Sequence, residues 1–264
     1  MYAFEYKKAF SLEDAKSAFD SADDGTFMAG GMTLIPTLKQ RLAMPSDVID
    51  LGGIEDLRGI FVDGDTVSIG AMTCHAEVAA STDVKNAIPA LAYLASLIGD
   101  PQVRNRGTIG GSIANNDPAA DYPGALVGLG ATVHTTTREI SADDFFTGMF
   151  ETALEDGELV TKVTFPVPEV ASYRKFPNPA SRYAVVGAFV AKTKDGVRVA
   201  ITGAGPTVFR VPEMEAALNT SFTPGAIADI SVPADDLNSD LHATAEYRAH
   251  LISVMAKRAI ADCV

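Results

Sequence analysis

Two glycine-rich stretches hold the residues whose types and spacing could do chemistry. Between Arg104 and Asp121 the chain reads RNRGTIGGSIANNDPAAD, in which Gly107, the Gly110-Gly111 pair and the small Ser112 and Ala114 leave backbone N–H groups uncovered by side chains. Runs of bare amides hold phosphate without spending Lys or Arg, so the expected guest is anionic. A shorter stretch of the same character, Ala29-Gly30-Gly31-Met32-Thr33, lies between the strand-like Phe27 and Met28 and the helix-like Leu34, Ile35 and Leu38. A Gly-Gly pair alone reads as well as a tight turn. The two together suggest one extended ligand with two phosphates. Neither stretch matches the G-x-G-x-x-G dinucleotide fingerprint or a phosphate loop ending in Gly-Lys-Ser/Thr, which excludes a Rossmann or P-loop assignment.

With AGGMTLIP at 29–36 and TIGGSIANNDPAAD at 108–121, the chain resembles the FAD-binding medium subunit of the molybdenum hydroxylases, the family of the carbon monoxide dehydrogenase and xanthine dehydrogenase flavoproteins. The resemblance runs from the opening MYAFEY to the C-terminal EYRAHL. It implies FAD as cofactor, with Phe27, Met28, Ala29, Gly30, Gly31, Met32, Thr33 and Leu34 and the segment Thr108, Ile109, Gly110, Gly111 and Ser112 around its pyrophosphate and ribityl chain. It also implies Ile98 against the ring system, Val160 as an apolar flavin contact, and Asp121 touching the dinucleotide. Some relatives place a lysine near the flavin in the segment matching Tyr173-Arg174-Lys175-Phe176. This chain departs from them at Pro177, which leaves Lys175 or Tyr183 to compensate.

By the same resemblance, the chain is an electron-transfer subunit. A large molybdenum-pterin subunit and a small [2Fe-2S] subunit are its partners, in a dimer of heterotrimers, and the final acceptor is a quinone, NAD or oxygen. The alternatives are a self-contained FAD-dependent oxidoreductase of the same wider fold and a non-enzymatic structural subunit whose glycine pairs are only turns. The first would need its own acid/base group. Asp117 in an Asn-Asp-Pro context reads as a turn residue, and Cys74 beside His75 does not by itself place two side chains within reach.

Composition narrows the field. A net charge of −13 argues against nucleic acid or an anionic membrane as partner. No apolar run is long enough to span a bilayer, and the N-terminus lacks a signal-like apolar core, which suggests a cytoplasmic protein. Two cysteines, Cys74 and Cys263, cannot ligate an ordinary iron–sulfur cluster, and the four histidines are scattered, so no protein-held metal is expected.

The elements that must position the glycine stretches follow from periodicity. Phe4 and Tyr6 alternate as a strand. Ser11 caps a helix with Leu12, Ala15 and Phe19 on one face. A strand over 26–29 leads into the first glycine stretch, which opens a helix over 33–42, and a third strand follows at 48–51. Asp63-Gly64-Asp65 and Asp195-Gly196 mark two hairpins. Helices are expected over 87–98, 119–130, 212–218 and 243–263, and strands over 131–136 and 159–165. The second glycine stretch is expected to be a loop. The fold class expected is α+β: an FAD-binding domain over 1–168, made of two α/β subdomains (about 1–53 and 54–168) with the dinucleotide between them, and a smaller C-terminal α+β domain over 169–264 with a small sheet and helices.

Overall fold

A strand followed by a helix and a second strand can pair in parallel only if the connection crosses over, and the first fifty residues do this twice. In the computed structural model, which describes residues 1–264, β1 (Glu5–Lys8), α1 (Leu12–Asp20), β2 (Gly25–Met28), α2 (Leu34–Lys39) and β3 (Asp47–Asp50) follow in order. β3 lies between β1 and β2, parallel to both. The α1 start is fixed by Ser11, whose hydroxyl accepts the Asp14 amide at 3.0 Å, and Phe19 on this helix stacks on Phe27 of β2. α2 stops at Lys39 rather than at Leu42: Arg41 turns into the left-handed region at φ 61°, and Leu42 is left exposed.

The hairpin β4 (Ile60–Asp63) and β5 (Thr66–Gly70) turns at Gly64, whose φ of +55° suits glycine. Then come the helices α3 (His75–Ala80), α4 (Thr82–Ala87), α5 (Pro89–Ser96), α6 (Pro101–Arg104), α7 (Ile109–Asn115) and α8 (Tyr122–Leu129). β6 (Thr132–Thr135), β7 (Glu139–Ser141), α9 (Ala142–Phe145), the small hairpin β8 (Phe146–Gly148) and β9 (Glu151–Thr152), and β10 (Val160–Pro166) complete this unit. Its sheet is antiparallel in the order β4-β5-β10-β6-β7. α8 has no polar face and is buried along its whole length.

Beyond residue 168, β11 (Val170–Pro177), β12 (Ala184–Thr193), β13 (Gly196–Thr202) and β14 (Phe209–Arg210) form an antiparallel sheet in that order. α10 (Pro212–Thr220) and α11 (Ala245–Ala261) cover it, burying Met214, Leu251, Ile252, Met255 and Ile260. The largest apolar core crosses from the middle unit into this sheet, because α8 packs on β12 and β13 and Tyr173, Phe189 and Ala200 join it. A Cβ at Gly128 would lie 2.7 Å from the Phe189 ring, so the helix and sheet meet closely. The chain is thus α+β in two domains. No helix is long and apolar enough to cross a membrane.

Candidate functional site

A cleft of about 750 Å³ opens where the parallel sheet meets the middle unit, and both glycine stretches lie on it. They touch each other. A Cβ at Gly30 would fall 1.9 Å from the carbonyl oxygen of Arg106, and one at Gly111 would fall 3.1 Å from the Ala29 methyl. Glycine is required at Gly30 by this approach of two backbones.

Accounting for the amides separates the two stretches. The N–H groups of Gly30, Gly31, Met32, Thr33 and Leu34 meet no acceptor in the chain, and α2 bonding begins only with Ile35 donating to the Gly31 carbonyl. The second stretch differs from its expected form as a bare loop. It is the first turn of α7, capped by Thr108, and its amides are mostly spent: Ile109 on Thr73 O, Gly110 on Ala71 O at 2.8 Å, and Ser112 on Thr108 O. Gly111 donates to the Thr108 hydroxyl at 3.1 Å. Between Thr108 and Ser112 only the Thr108 amide lacks an acceptor. Gly110 is glycine for packing, since its Cβ would lie 2.5 Å from the Ala71 methyl.

Of the residues singled out in the sequence, Phe27, Ala29, Gly30, Gly31, Met32, Thr33 and Leu34 line the cleft from one side. Thr108, Gly110, Gly111 and Ser112 line it from the other, and Ile98, Asp121 and Val160 also face it. Three do not. Ile109 is fully buried in the core, Met28 lies beneath the Gly31 turn, and Lys175 sits behind the wall.

Lys175 and Asp121 form a buried pair, both side chains 4 % exposed, with Nζ 3.0 Å from Oδ2. Lys175 also donates to the carbonyls of Leu97 and Arg182, and the Tyr173 hydroxyl donates to the other Asp121 oxygen at 2.5 Å. Burial pushes the Asp121 carboxyl up, against the pull of the Lys175 ammonium and these hydrogen bonds. Arg104 donates to the carbonyls of Ile98 and Gly99. It therefore shapes the loop at Ile98 rather than pairing with a carboxylate.

Phe19, Leu51, Leu57 and Leu159 add apolar lining to the cleft, beside the acidic turn Glu155-Asp156-Gly157-Glu158. Glu158 binds Arg138 twice, accepts from Thr135 and Thr137, and takes the Glu155 amide, which hold its pKa down at about 2. Sequence reasoning missed this turn, Phe19 and His75 as cleft residues. Glu158 and Arg138 are twenty positions apart on different strands' ends, and no local pattern joins them. His75 is buried, with Nδ1 unpartnered, and burial and then Arg104 lower its pKa to about 4, so its ring is neutral at pH 7. Burial and Glu77 raise the neighbouring Cys74 thiol, which keeps it protonated. No group of His, Cys, Asp or Glu side chains could hold a metal ion.

A family model described as the FAD binding domain in molybdopterin dehydrogenase matches residues 2–168, and one described as the CO dehydrogenase flavoprotein C-terminal domain matches 171–263. The chain belongs to this flavoprotein family. Its cofactor is FAD. The FAD-binding chain is 35 % identical to the nicotine 6-hydroxylase medium subunit of Paenarthrobacter nicotinovorans, over 98 % of this chain and 97 % of that one. It is 34 % identical to the carbon monoxide dehydrogenase medium chain of Hydrogenophaga pseudoflava, over 97 % and 96 %. A solved structure of carbon monoxide dehydrogenase from the same organism superimposes with a TM-score of 0.89 at 35 % identity, covering 98 % of this chain and 96 % of that one. The FAD-binding family accounts for what the cleft offers: a run of free amides beside an apolar lining.

Proposed function

We propose that this chain is the flavin-carrying electron-transfer subunit of a molybdenum-containing hydroxylase or dehydrogenase complex. The observation that carries the reading is the run of unpaired amides from Gly30 to Leu34 facing the cleft. In an acidic chain, such amides at a helix start hold a diphosphate by hydrogen bonds and by their partial positive charge. Thr108, Gly111 and Ser112 close the cleft opposite them, and Ile98 and Val160 offer apolar surface to a ring. FAD held here would supply a centre that can take up electrons one at a time, as iron–sulfur clusters deliver them, and give them up singly or in pairs, which suits a relay between such clusters and a final acceptor. The chain's own residues bind and orient the cofactor, while the half-buried Cys74 thiol stays protonated, His75 is buried and Asp121 is paired with Lys175, so the three make no acid/base set for a substrate.

The partners in this reading are a large molybdenum-pterin subunit and a small [2Fe-2S] subunit, arranged as a dimer of heterotrimers. Support comes from the relatives, which carry the names medium subunit and medium chain and align with this chain over nearly their full length. The acceptor is a quinone, NAD or oxygen. The test is reconstitution. The chain alone, loaded with FAD, is expected to pass electrons from a reductant to an artificial dye without oxidising an organic substrate. Mixed with molybdenum and iron–sulfur subunits encoded beside it, it should turn over substrate. Robust substrate oxidation by the isolated chain would contradict the relay.

A further inference from the structure

Segments 73–75 and 107–109 are laced together through their backbones, with the Ile109 amide donating to the Thr73 carbonyl at 3.1 Å and the His75 amide to the Gly107 carbonyl at 2.9 Å. His75, the first residue of α3, is thereby pinned against the second glycine stretch, and it lines the cleft although it is only 4 % exposed. Gly107 makes room for its ring. A Cβ on Gly107 would lie 2.6 Å from His75 Nε2, and a Cβ on Gly30 would lie 2.9 Å from Gly107 Cα. Gly107 therefore touches both the imidazole and the start of the unpaired amides, and no side chain fills the space beside it.

The chain itself makes no use of this ring. Nδ1 is enclosed without a partner, Nε2 forms no hydrogen bond within the chain, and the Tyr122 hydroxyl is unpartnered too, on a ring tilted against the imidazole at 5.4 Å between centroids. A neutral imidazole has one N–H to give, and leaving that bond unmade at a cleft wall is a cost that a ligand can remove. Burial, and then the charge of Arg104 from α6, hold the ring's pKa at about 4. Tyr122 from α8 and the Cys74 thiol on the same turn are both pushed up, chiefly by burial, and stay uncharged at pH 7. Asp117, Asp121, Glu155, Asp156 and Glu158 line the same cleft, and none of them bonds to the ring.

We infer that His75 is a direct ligand of the FAD diphosphate, its Nε2–H donating to a phosphate oxygen beside Gly107, and that the ring takes up a proton from water as the cofactor binds. The inference rests on the FAD reading and adds to it one side-chain donor among backbone ones. The neutral ring becomes an imidazolium facing phosphate charge, so the bond is charge-assisted on both sides. An opposite charge at contact favours the protonated ring by about 1–3 pKa units, here against burial and Arg104, and by linkage FAD affinity must then rise with acidity.

The test titrates the full chain with FAD across a range of pH as wild type, His75→Gln and His75→Leu, with calorimetry in two buffers of different ionisation enthalpy to count protons. For a rise of about two pKa units on binding, wild-type affinity should increase about tenfold from about pH 7.5 to about pH 5, with about 0.8 proton taken up per FAD at the lower pH. Glutamine offers an N–H but does not titrate. His75→Gln should therefore bind FAD more tightly than His75→Leu at the higher pH, and should lose both the pH dependence and the proton uptake. Wild-type uptake retained in His75→Gln would assign the proton to a cleft carboxylate and overturn the inference, as would wild-type affinity in His75→Leu. Nitrogen NMR of ¹⁵N-labelled histidine in the wild type reads the ring without any substitution: one of the four imidazoles should titrate at higher pH once FAD is bound. No such movement would overturn the inference even where neither variant folds. A folded wild type that takes up no FAD at any pH would instead overturn the cofactor reading on which the inference rests.

Discussion

Gly30 and Arg106, seventy-six positions apart, meet so closely that a Cβ on Gly30 would lie 1.9 Å from the Arg106 carbonyl oxygen. This contact brings the two glycine stretches together at the cleft, where the amides from Gly30 to Leu34 meet no acceptor in the chain. Gly30→Ala must therefore push two backbones apart. The expected outcome is a loss of about 1–3 kcal/mol of stability from overpacking, with FAD binding lost. Gly225→Ala is the control, because its Cβ would meet nothing nearer than 3.9 Å. Denaturant melts and FAD titration of both variants check it, and normal FAD affinity in Gly30→Ala would show that the two stretches tolerate separation.

Gly110 and Gly111 should behave differently from each other. At Gly110 a Cβ already strikes the Ala71 backbone, so Gly110→Val should unfold or strongly destabilise the chain, whereas a Cβ at Gly111 meets only the Thr108 hydroxyl at 3.0 Å and the Ala29 methyl at 3.1 Å. Gly111→Val is expected to keep its far-ultraviolet circular dichroism and lose FAD. The reverse pattern would assign the ligand contact to Gly110.

What was legible in the chain divides along this line. The Ser11 cap, the Asp-Gly hairpins, the all-apolar α8 and the glycine pairs each declare themselves within a few residues. α7 does not, because two glycines in a first turn lower helix propensity, and the helix stands on the Thr108 cap and on packing against Ala71 instead. β11 hides between prolines and carries Arg174 and Lys175 within a strand, where periodicity is faint. Lys175 was visible only as a candidate ring contact. Its true partners, Asp121 and Leu97, lie far away in sequence and are brought to it by tertiary packing.

Acid should loosen the cleft lining at Glu158. Its pKa is depressed to about 2 by Arg138 and by the hydrogen bonds it accepts, against an ordinary value of 4.5. The unfolded chain therefore binds the proton first, and stability present above pH 4.5 is lost as the pH falls toward 2. The full effect is on the order of 3 kcal/mol at most. Glu158→Gln should melt lower at pH 7 and show a flatter pH dependence between 4.5 and 2. An unchanged slope would contradict the assignment.

His75 acts over a higher window. It is neutral when folded, with a pKa lowered from 6.5 to about 4 by burial, so protons bind the unfolded chain more tightly. Stability should be flat above pH 6.5 and fall between 6.5 and 4, by on the order of 3 kcal/mol in total. His75→Phe, if it folds, removes that fall, and chemical denaturation at a series of pH values reads it directly.

Asp121→Ala strands the Lys175 ammonium among two carbonyls with no countercharge. The expected cost is about 3–5 kcal/mol, larger than the loss of one contact to the cofactor, and Asp121→Asn should cost much less. Equal melting temperatures for the two variants would show that the pair is not the anchor its geometry describes.

If the free amides from Gly30 to Leu34 hold the diphosphate of FAD, titration of the cofactor-free, folded wild-type chain with FAD, followed by flavin absorbance and fluorescence, reads it out. Saturation is expected at about one FAD per chain, competed by ADP, whose diphosphate takes the same amides. A folded chain that binds no FAD, or binds it without competition from ADP, would show that these amides do not hold the cofactor.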